Sequence, residues 1–354
     1  MEYRSLGRSG LKVSLHSLGT MHFSSEGMFG KIGTVSVKDA ARMVDICIDH
    51  GVNLIDTANV YTTGKSEEAL GAALKGKSGQ VMVGTKVRFP MGKGPNEQGN
   101  SRWHIINECE ASLKRLGRDH IDIYYLHEWD GMTPVEESMA ALDRLVRDGK
   151  VRYIGCSNFS AWHIMKCMMA ADRHNFEKFV VQQIHYTLES RDAEYELLPL
   201  SMDQGIGVQV WSPIAGGLLS GKFRKGVTPE LSRHINDWGE PPIRDEARLY
   251  RIIEAIVQVA EGRGVSGAQV ALSWLAGRPG VCNIIVGARN EAQLKDNLAA
   301  SSLVLTAEER KLLDDVSLQP LIYPYWHQLN AASRLGPADL TLMAPHVAAM
   351  KPRM

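Results

Sequence analysis

Leu18-Gly19-Thr20-Met21-His22 ends the first apolar run of the chain, and its reading decides the fold. A doubly wound dinucleotide-binding sheet needs a glycine-rich turn, G-x-G-x-x-G, where its first strand passes into its first helix. Here a single glycine is followed by threonine, methionine and histidine, so that fingerprint is missing. Working outward from this first run, over 17–20, seven more short runs follow at 52–57, 81–86, 121–127, 153–158, 180–186, 208–212 and 283–287. Most are continuously apolar, as parallel strands covered by helices should be. Helical patterns fall between and after them, at 38–50, 66–74, 102–116, 135–147, 161–171, 193–204, 247–261 and 291–300. Their boundary residues agree: Ser160 precedes one helix, Asp148-Gly149 closes another, and Pro134 opens a third. Eight strand–helix units, mostly at intervals of roughly 27 to 40 residues, have the period of a (β/α)8 barrel. The predicted fold is therefore an α/β (β/α)8 TIM barrel rather than a doubly wound sheet.

Length and charge sharpen this reading. A bare barrel takes about 250 residues, and this chain has 354. The excess falls in the 88–101 loop, a 222–246 insertion before helix seven and a tail after 320. One barrel domain over 1–320 is expected, with a 321–354 extension folded over the barrel mouth or packed on the outer helices. Forty basic residues balance forty acidic ones, which argues against a nucleic-acid or anionic-membrane partner. No apolar run is long enough to span a bilayer, and Met1-Glu2-Tyr3-Arg4 does not open a signal peptide. Five scattered cysteines without a C-x-x-C pair support neither a disulfide framework nor a zinc ribbon, so a reducing, cytoplasmic compartment is expected and no metal. The oligomeric state stays open, because no helix shows an unexplained apolar outer face.

Barrel enzymes carry their chemistry at the C-terminal ends of the strands. The second strand ends in Asp56, with Tyr61 in the following loop; the third ends in Lys86 and the fourth in His127. Singly, each has an ordinary reading: an aspartate as a helix cap, a lysine as a solvated charge, a histidine as a core residue. Their coincidence at consecutive strand ends argues for a shared purpose. A phenol titrates near about 10, and an adjacent ammonium stabilises its phenolate. Asp56 can supply the counter-charge that a buried lysine needs, and His127 can donate a hydrogen bond to a carbonyl oxygen. Together they suit proton transfer to an oxygen that becomes an alkoxide when a carbonyl accepts hydride.

Hydride requires a cofactor. Gly262-Arg263-Gly264-Val265-Ser266-Gly267 matches a dinucleotide fingerprint but follows a helix, and so reads as a helix-ending turn. Gly216 to Lys222 matches a phosphate loop until Phe223 replaces the required hydroxyl residue. It nevertheless follows strand seven, and barrels often hold phosphate in the loops after strands seven and eight. The loop after strand eight reads Gly287-Ala288-Arg289-Asn290, with Gln293 and Asn297 in the helix it opens. Arg289 there suits a phosphate at a helix N-terminus.

At this point the sequence resembles the aldo-keto reductases, over nearly the whole chain. The matching segments are Gly51-Val52-Asn53-Leu54-Ile55-Asp56-Thr57-Ala58, His127 through Pro134, Ile154-Gly155-Cys156-Ser157-Asn158-Phe159, Trp211-Ser212-Pro213 and Ile284-Ile285-Val286-Gly287-Ala288-Arg289. The resemblance implies a (β/α)8 barrel that binds NADPH/NADP+ and interconverts an aldehyde or ketone with its alcohol. It implies Tyr61 as general acid, tuned by Lys86 and Asp56, with His127 orienting the carbonyl and sharing proton donation. Ser157, Asn158 and Gln183 would bond the nicotinamide amide, and Trp211 would stack on its ring. The 212–222 loop, through Ser212, Pro213, Ile214, Gly216, Leu218, Gly221 and Lys222, would embrace the pyrophosphate. Thr20, Met21 and Gly287 complete the expected cofactor contacts; Arg289 would pair with the 2′-phosphate, with Gln293 and Asn297 near the adenosine. His22, Phe89, Trp129, Trp238 and Trp326 are candidates for an apolar substrate pocket, and His185 and Glu128 either tune it or face the helices. Two rival readings stand beside the enzyme: a cofactor-sensing barrel like those accompanying potassium channels, against which the absence of an N-terminal arm counts, and a Schiff-base enzyme using Lys86.

Overall fold

The computed structural model of the protein describes residues 1–24, 35–227 and 241–349. Eight parallel strands close into a barrel: β3 (His16–Gly19), β4 (Leu54–Asp56), β5 (Met82–Val87), β6 (Ile121–Leu126), β7 (Val151–Ser157), β8 (Val181–His185), β9 (Gly207–Trp211) and β10 (Val281–Val286), with β10 pairing back to β3. The predicted barrel is the observed one, and each strand falls within or beside its expected run. Around it lie α1 (Val37–Asp49), α2 (Lys65–Ala73), α3 (Arg102–Leu116), α4 (Val135–Arg147), α5 (Ala161–His174), α6 (Leu197–Gln204), α7 (Glu246–Arg263), α8 (Gly267–Ala276) and α9 (Glu291–Ala299).

Two elements of the barrel proper were not expected. A short antiparallel hairpin, β1 (Tyr3–Ser5) with β2 (Lys12–Ser14), closes the N-terminal end of the barrel. Its Leu6 and Val13 are fully buried with Leu54, Ile123, Tyr125 and Val181. Helix α8 was also missed: Gly267-Ala268-Gln269-Val270-Ala271-Leu272-Ser273-Trp274-Leu275-Ala276 is buried on nearly every side, so it lacks the polar stripe by which an outer helix is recognised. Its boundary was legible, since Gly264 ends α7 in the left-handed conformation (φ 65°) and Ser266 caps α8 by accepting from the Gln269 N–H. The helix expected over 193–204 starts only at Leu197. Pro199 explains the delay, because within a longer helix its ring would collide with the carbonyl of Tyr195.

Beyond the barrel, α10 (Ala307–Ser317) packs on α7, and the tail forms α11 (Tyr325–Gln328) and α12 (Leu340–Ala349). Helix α12 lies against α6, and Tyr325 stacks on Tyr195 at 5.7 Å while donating to Glu196. Within the described residues, these parts of the tail pack against α6 and the segment before it. No helix among the described residues is long and apolar enough to cross a membrane.

The barrel interior is layered. Above the apolar floor, Tyr125 fits across the lumen because its neighbours in β5 and β7 are glycines. A Cβ on Gly155 would stand 2.8 Å from the Tyr125 ring, and one on Gly84 would stand 3.1 Å from it. The Tyr125 hydroxyl donates to Gln209, which donates in turn to Asn283, and Ser17 donates to the same Asn283 oxygen. This polar tier supports the residues above it.

Candidate active site

Lys86, wholly buried, donates from Nζ to Asp56 Oδ1 at 2.6 Å and to the Thr57 carbonyl at 2.7 Å. Both residues project inward from adjacent strands, and the second Asp56 oxygen accepts from Gln183 at 2.8 Å. The Lys86 ammonium lies 5.1 Å from the Tyr61 ring centroid and is hydrogen-bonded to the Tyr61 side chain. Burial alone would push the lysine pKa down; the Asp56 carboxylate and Tyr61 outweigh it and hold it above its ordinary value. Lys86 is therefore a fixed positive charge against the phenol.

Tyr61 stands on a loop bent by unusual backbone. Thr62 and Thr63 both take left-handed conformations (φ 51° and 53°), followed by Gly64 at φ 88°. Two consecutive non-glycine residues in that region cost free energy and need surrounding support. The support is present: Ser66 donates to the Thr20 carbonyl at 2.8 Å, and its hydroxyl also meets those of Thr20 and Thr57. Outside the strands, Glu67, fully buried, accepts from Thr85 and from Arg115, each at 2.6 Å. Arg115 also reaches Glu108, which accepts from Asn59, two residues before Tyr61. Sequence reasoning missed this bracket; its signal was two acidic residues in an otherwise amphipathic helix start, Ser66-Glu67-Glu68.

His127 completes the group, 5.9 Å from Tyr61 between ring centroids. Burial first, then Lys86 and Arg88, push its pKa well below the usual histidine range, so it is a neutral imidazole at pH 7. A neutral ring can donate one hydrogen bond but holds no spare proton. Phe89 packs edge-on to His127 at 4.9 Å, and His22 is buried on the rim, against Gly287. Trp129 is turned towards α5, stacked on His163 at 3.9 Å and meeting Phe159 and Trp162. Trp326 is half exposed, and its ring contacts are Tyr323 and His327. Neither ring is brought into the tetrad, and Trp238 lies outside the described residues.

The residues expected at a dinucleotide lie on the other side of the same rim, at the ends of β7 to β10 and after β3. The Ser157 Oγ, at the end of β7, is buried with no hydrogen-bond partner among the described residues. Gln183 donates through Nε2 to both Asp56 and Gln209, which leaves its carbonyl oxygen to accept. Asn158, with φ 56°, is instead committed: it donates to the His127 carbonyl and accepts from the Trp211 indole N–H at 3.1 Å. After β9, Ser212 (φ 48°) and Pro213 lead through Ile214 into a turn over Ala215–Ser220, where Leu218 is buried and Gly216 and Gly217 hold positive φ. Gly221 (φ 79°) and exposed Lys222 follow. A side chain at Gly217 would meet nothing within 4 Å, so the loop is open at that point. Gly287, Arg289 and the Asn290 cap precede α9, and within the described residues Arg289 has no ion-pair partner. Gln293 accepts from the Arg289 N–H, and Asn297 donates to the Gly287 carbonyl, so these two brace the loop itself. Thr20 and Met21 lie in the loop after β3. The orphan hydroxyl, the open glycine turn and the unpaired arginine at a helix start fit a dinucleotide.

A model of the Aldo/keto reductase family matches residues 17–318. The chain is 38% identical over 328 residues to the uncharacterized oxidoreductase YrpG of Bacillus subtilis, covering 89% of this chain and 96% of that one. It is 37% identical over 312 residues to a probable voltage-gated potassium channel subunit beta of Arabidopsis thaliana, covering 86% and 92%. It is 32% identical over 347 residues to the versiconal hemiacetal acetate reductase of Aspergillus parasiticus, covering 92% and 99%. With this barrel, these strand-end residues and these relatives, the chain belongs to the aldo/keto reductase family.

Proposed function

We propose that the protein reduces an aldehyde or ketone to the corresponding alcohol, and oxidises the alcohol in reverse, with NADPH/NADP+ as the hydride carrier and Tyr61 as general acid and base. The observation that carries this reading is the wholly buried Lys86 ammonium, paired with Asp56 at 2.6 Å and set against Tyr61. When bound, the dinucleotide supplies or accepts the hydride. The Tyr61 hydroxyl gives its proton to the carbonyl oxygen as negative charge develops there, and Lys86 stabilises the phenolate left behind. Neutral His127 holds the carbonyl oxygen by a hydrogen bond. The Ser157 hydroxyl and the Gln183 carbonyl orient the nicotinamide amide, Trp211 offers its ring face, and Arg289 takes the 2′-phosphate, which favours NADPH over NADH. Five buried, unpaired cysteines suit a reducing, cytoplasmic setting.

The test is NADPH oxidation with a panel of aldehydes and ketones. Tyr61→Phe should lower kcat/KM by about 10²–10⁴-fold while the protein still binds NADPH; unchanged turnover would remove Tyr61 from the chemistry. Similarity to a potassium channel subunit beta motivates a second reading, a cofactor-sensing barrel. Tight NADPH binding with no turnover of any carbonyl would favour it.

A further inference from the structure

Arg88 stands two residues beyond Lys86, at the mouth of β5, and nothing in the reaction described above uses it. Its guanidinium lies 5.3 Å over the Phe89 ring, and Phe89 in turn touches His127 at 4.9 Å. Two successive contacts therefore join this cation to the residue that holds the reacting carbonyl. The side chain is half-buried and its Nε is fully buried, yet among the described residues that nitrogen has no hydrogen-bond partner. A guanidinium carries five N–H donors, and leaving buried donors unused costs about 1–3 kcal/mol each.

The neighbouring carboxylates do not resolve this. Asp130 is near enough for Arg88 to help hold its carboxyl below the usual range, but its oxygens already accept from the Asn100 N–H, the Met132 N–H and the Thr133 hydroxyl. Glu128 forms no ion pair with it among the described residues. The backbone marks the position too: Arg88 holds φ 154°, a conformation that residues with side chains rarely adopt. A cofactor phosphate is also a poor candidate. The loops suited to phosphate follow β9 and β10, and in the closed barrel β5 lies opposite β9.

The terminal nitrogens of Arg88 likewise form no hydrogen bond or ion pair among the described residues, so the end of this guanidinium matches a planar anion on the carbonyl side of the site. We propose that Arg88 is a specificity residue that binds a carboxylate of the substrate, so that the carbonyl compounds this protein takes are acids whose carboxylate is separated from the reacting carbon by several bonds. The proposal rests on the carbonyl-reductase reading and names its substrate class. Phe89 would lie beside the connecting portion of such a molecule, with the carbonyl oxygen at Tyr61 and His127.

The test compares 4-formylbenzoate with its methyl ester at saturating NADPH, in the wild type, Arg88→Gln and Arg88→Lys. The ester is the more electrophilic aldehyde, so intrinsic reactivity runs against the acid. The wild type is expected to favour the acid in kcat/KM by roughly 10- to 100-fold, chiefly through KM. Arg88→Gln should bring that ratio to about one or below, and Arg88→Lys should keep part of it. Should Arg88→Gln fail to fold, the wild-type ratio should still fall as ionic strength rises from about 0.05 to about 0.5 M. An ester preferred by the wild type, or a ratio indifferent to Arg88→Gln, overturns the proposal. So does a matching loss of NADPH affinity, which would assign Arg88 to the cofactor. If neither aldehyde turns over, the wider panel of aldehydes and ketones decides the reductase reading separately. Calorimetric binding of 4-formylbenzoate to the NADP+-loaded protein then decides: affinity lost in Arg88→Gln supports an anion site, and equal affinity in both proteins removes it.

Discussion

Replacing Asp56 by asparagine should separate the structural from the chemical value of the buried ion pair. Lys86 is wholly buried and the Asp56 side chain is 4% exposed, so neither charge can turn to water when its partner is lost. Asparagine keeps the shape and one acceptor for Lys86, but it removes the compensating charge. It also sets an amide N–H₂ against the donating Nε2 of Gln183. Breaking one side of a buried pair costs about 3–5 kcal/mol, and that loss is expected in urea denaturation. The pH dependence should change sign. In the wild type the lysine pKa is raised, so its stabilisation is complete below the free value of about 10.4 and is lost as pH climbs past the folded value. Without Asp56, burial dominates and the folded pKa falls below the free one, so stability should increase as pH rises towards about 10. The double variant Asp56→Asn/Lys86→Met removes both charges and should recover most of the stability, because an apolar chain of similar length fills the same space. It should stay inactive in NADPH oxidation, since Tyr61 no longer has an ammonium beside it. A loss below about 1 kcal/mol in the single variant would refute the argument. So would a double variant no more stable than the single one, or an unchanged sign of the pH slope.

Three further outcomes are expected. Arg289→Leu should cut the preference for NADPH over NADH by about 10- to 100-fold, measured as the ratio of kcat/KM for the two cofactors, with the loss on the NADPH side. Burial lowers both His16 and His185 to about 4; because these folded values lie below the free value near 6.5, each contributes stability that is present above pH 6.5 and lost as pH falls towards 4. Each is worth up to about 3 kcal/mol, and thermal melts of His16→Gln should show a shallower acid slope than the wild type. Glu67→Gln faces Arg115 with an amide and leaves that guanidinium undercompensated. It should cost about 3 kcal/mol in denaturation and lower kcat more than it alters NADPH affinity, because the bracket sets Tyr61 and not the dinucleotide.

The parts of this molecule that could be read in advance are those where a local signal and the global plan coincide. Asp56, Lys86 and His127 each terminate an apolar run, and the closed barrel converts strand ends into one rim, so their meeting follows from topology alone. Tyr61 was legible by its nearness to Asp56, but the left-handed pair Thr62-Thr63 that aims it was not, since threonine carries no preference for that backbone. Helix α8 was invisible for the opposite reason: burial on all sides erased the periodicity by which helices are found. Arg88 was passed over because an arginine at a strand end reads as a solvated charge, and only its buried Nε without a partner among the described residues shows otherwise. The tail aromatics carry no such signal, because a Tyr-Pro-Tyr-Trp cluster looks the same whether it lines a pocket or leans on its own chain, as Tyr325 does on Tyr195 and Glu196.

The polar tier inside the barrel explains why a charge can be held there at all. Asp56 divides its two oxygens between Lys86 and Gln183, and Gln183 is fixed in turn by Gln209. Gln209 also accepts from Tyr125 and donates to Asn283, whose amide donates to the Ser14 carbonyl beside the floor hairpin. Each member of this chain is buried and paired, so the orientation of the Asp56 carboxylate is set four residues away, at the barrel floor. A network in which every member is paired has few alternative arrangements, and Lys86 inherits that rigidity through a single 2.6 Å contact. The tyrosine above it, by contrast, sits on a loop and depends on a second, separate set of bonds through Ser66 and Glu67. The geometry of Tyr61 against Lys86 is thus the product of two supports, which also touch where Ser66 meets Thr57 and Glu67 accepts from Thr85. Substitutions deep in the floor tier, such as at Asn283, and at Glu67 share no partner and should combine near-additively in stability but non-additively in turnover, where both act on the Lys86–Tyr61 contact.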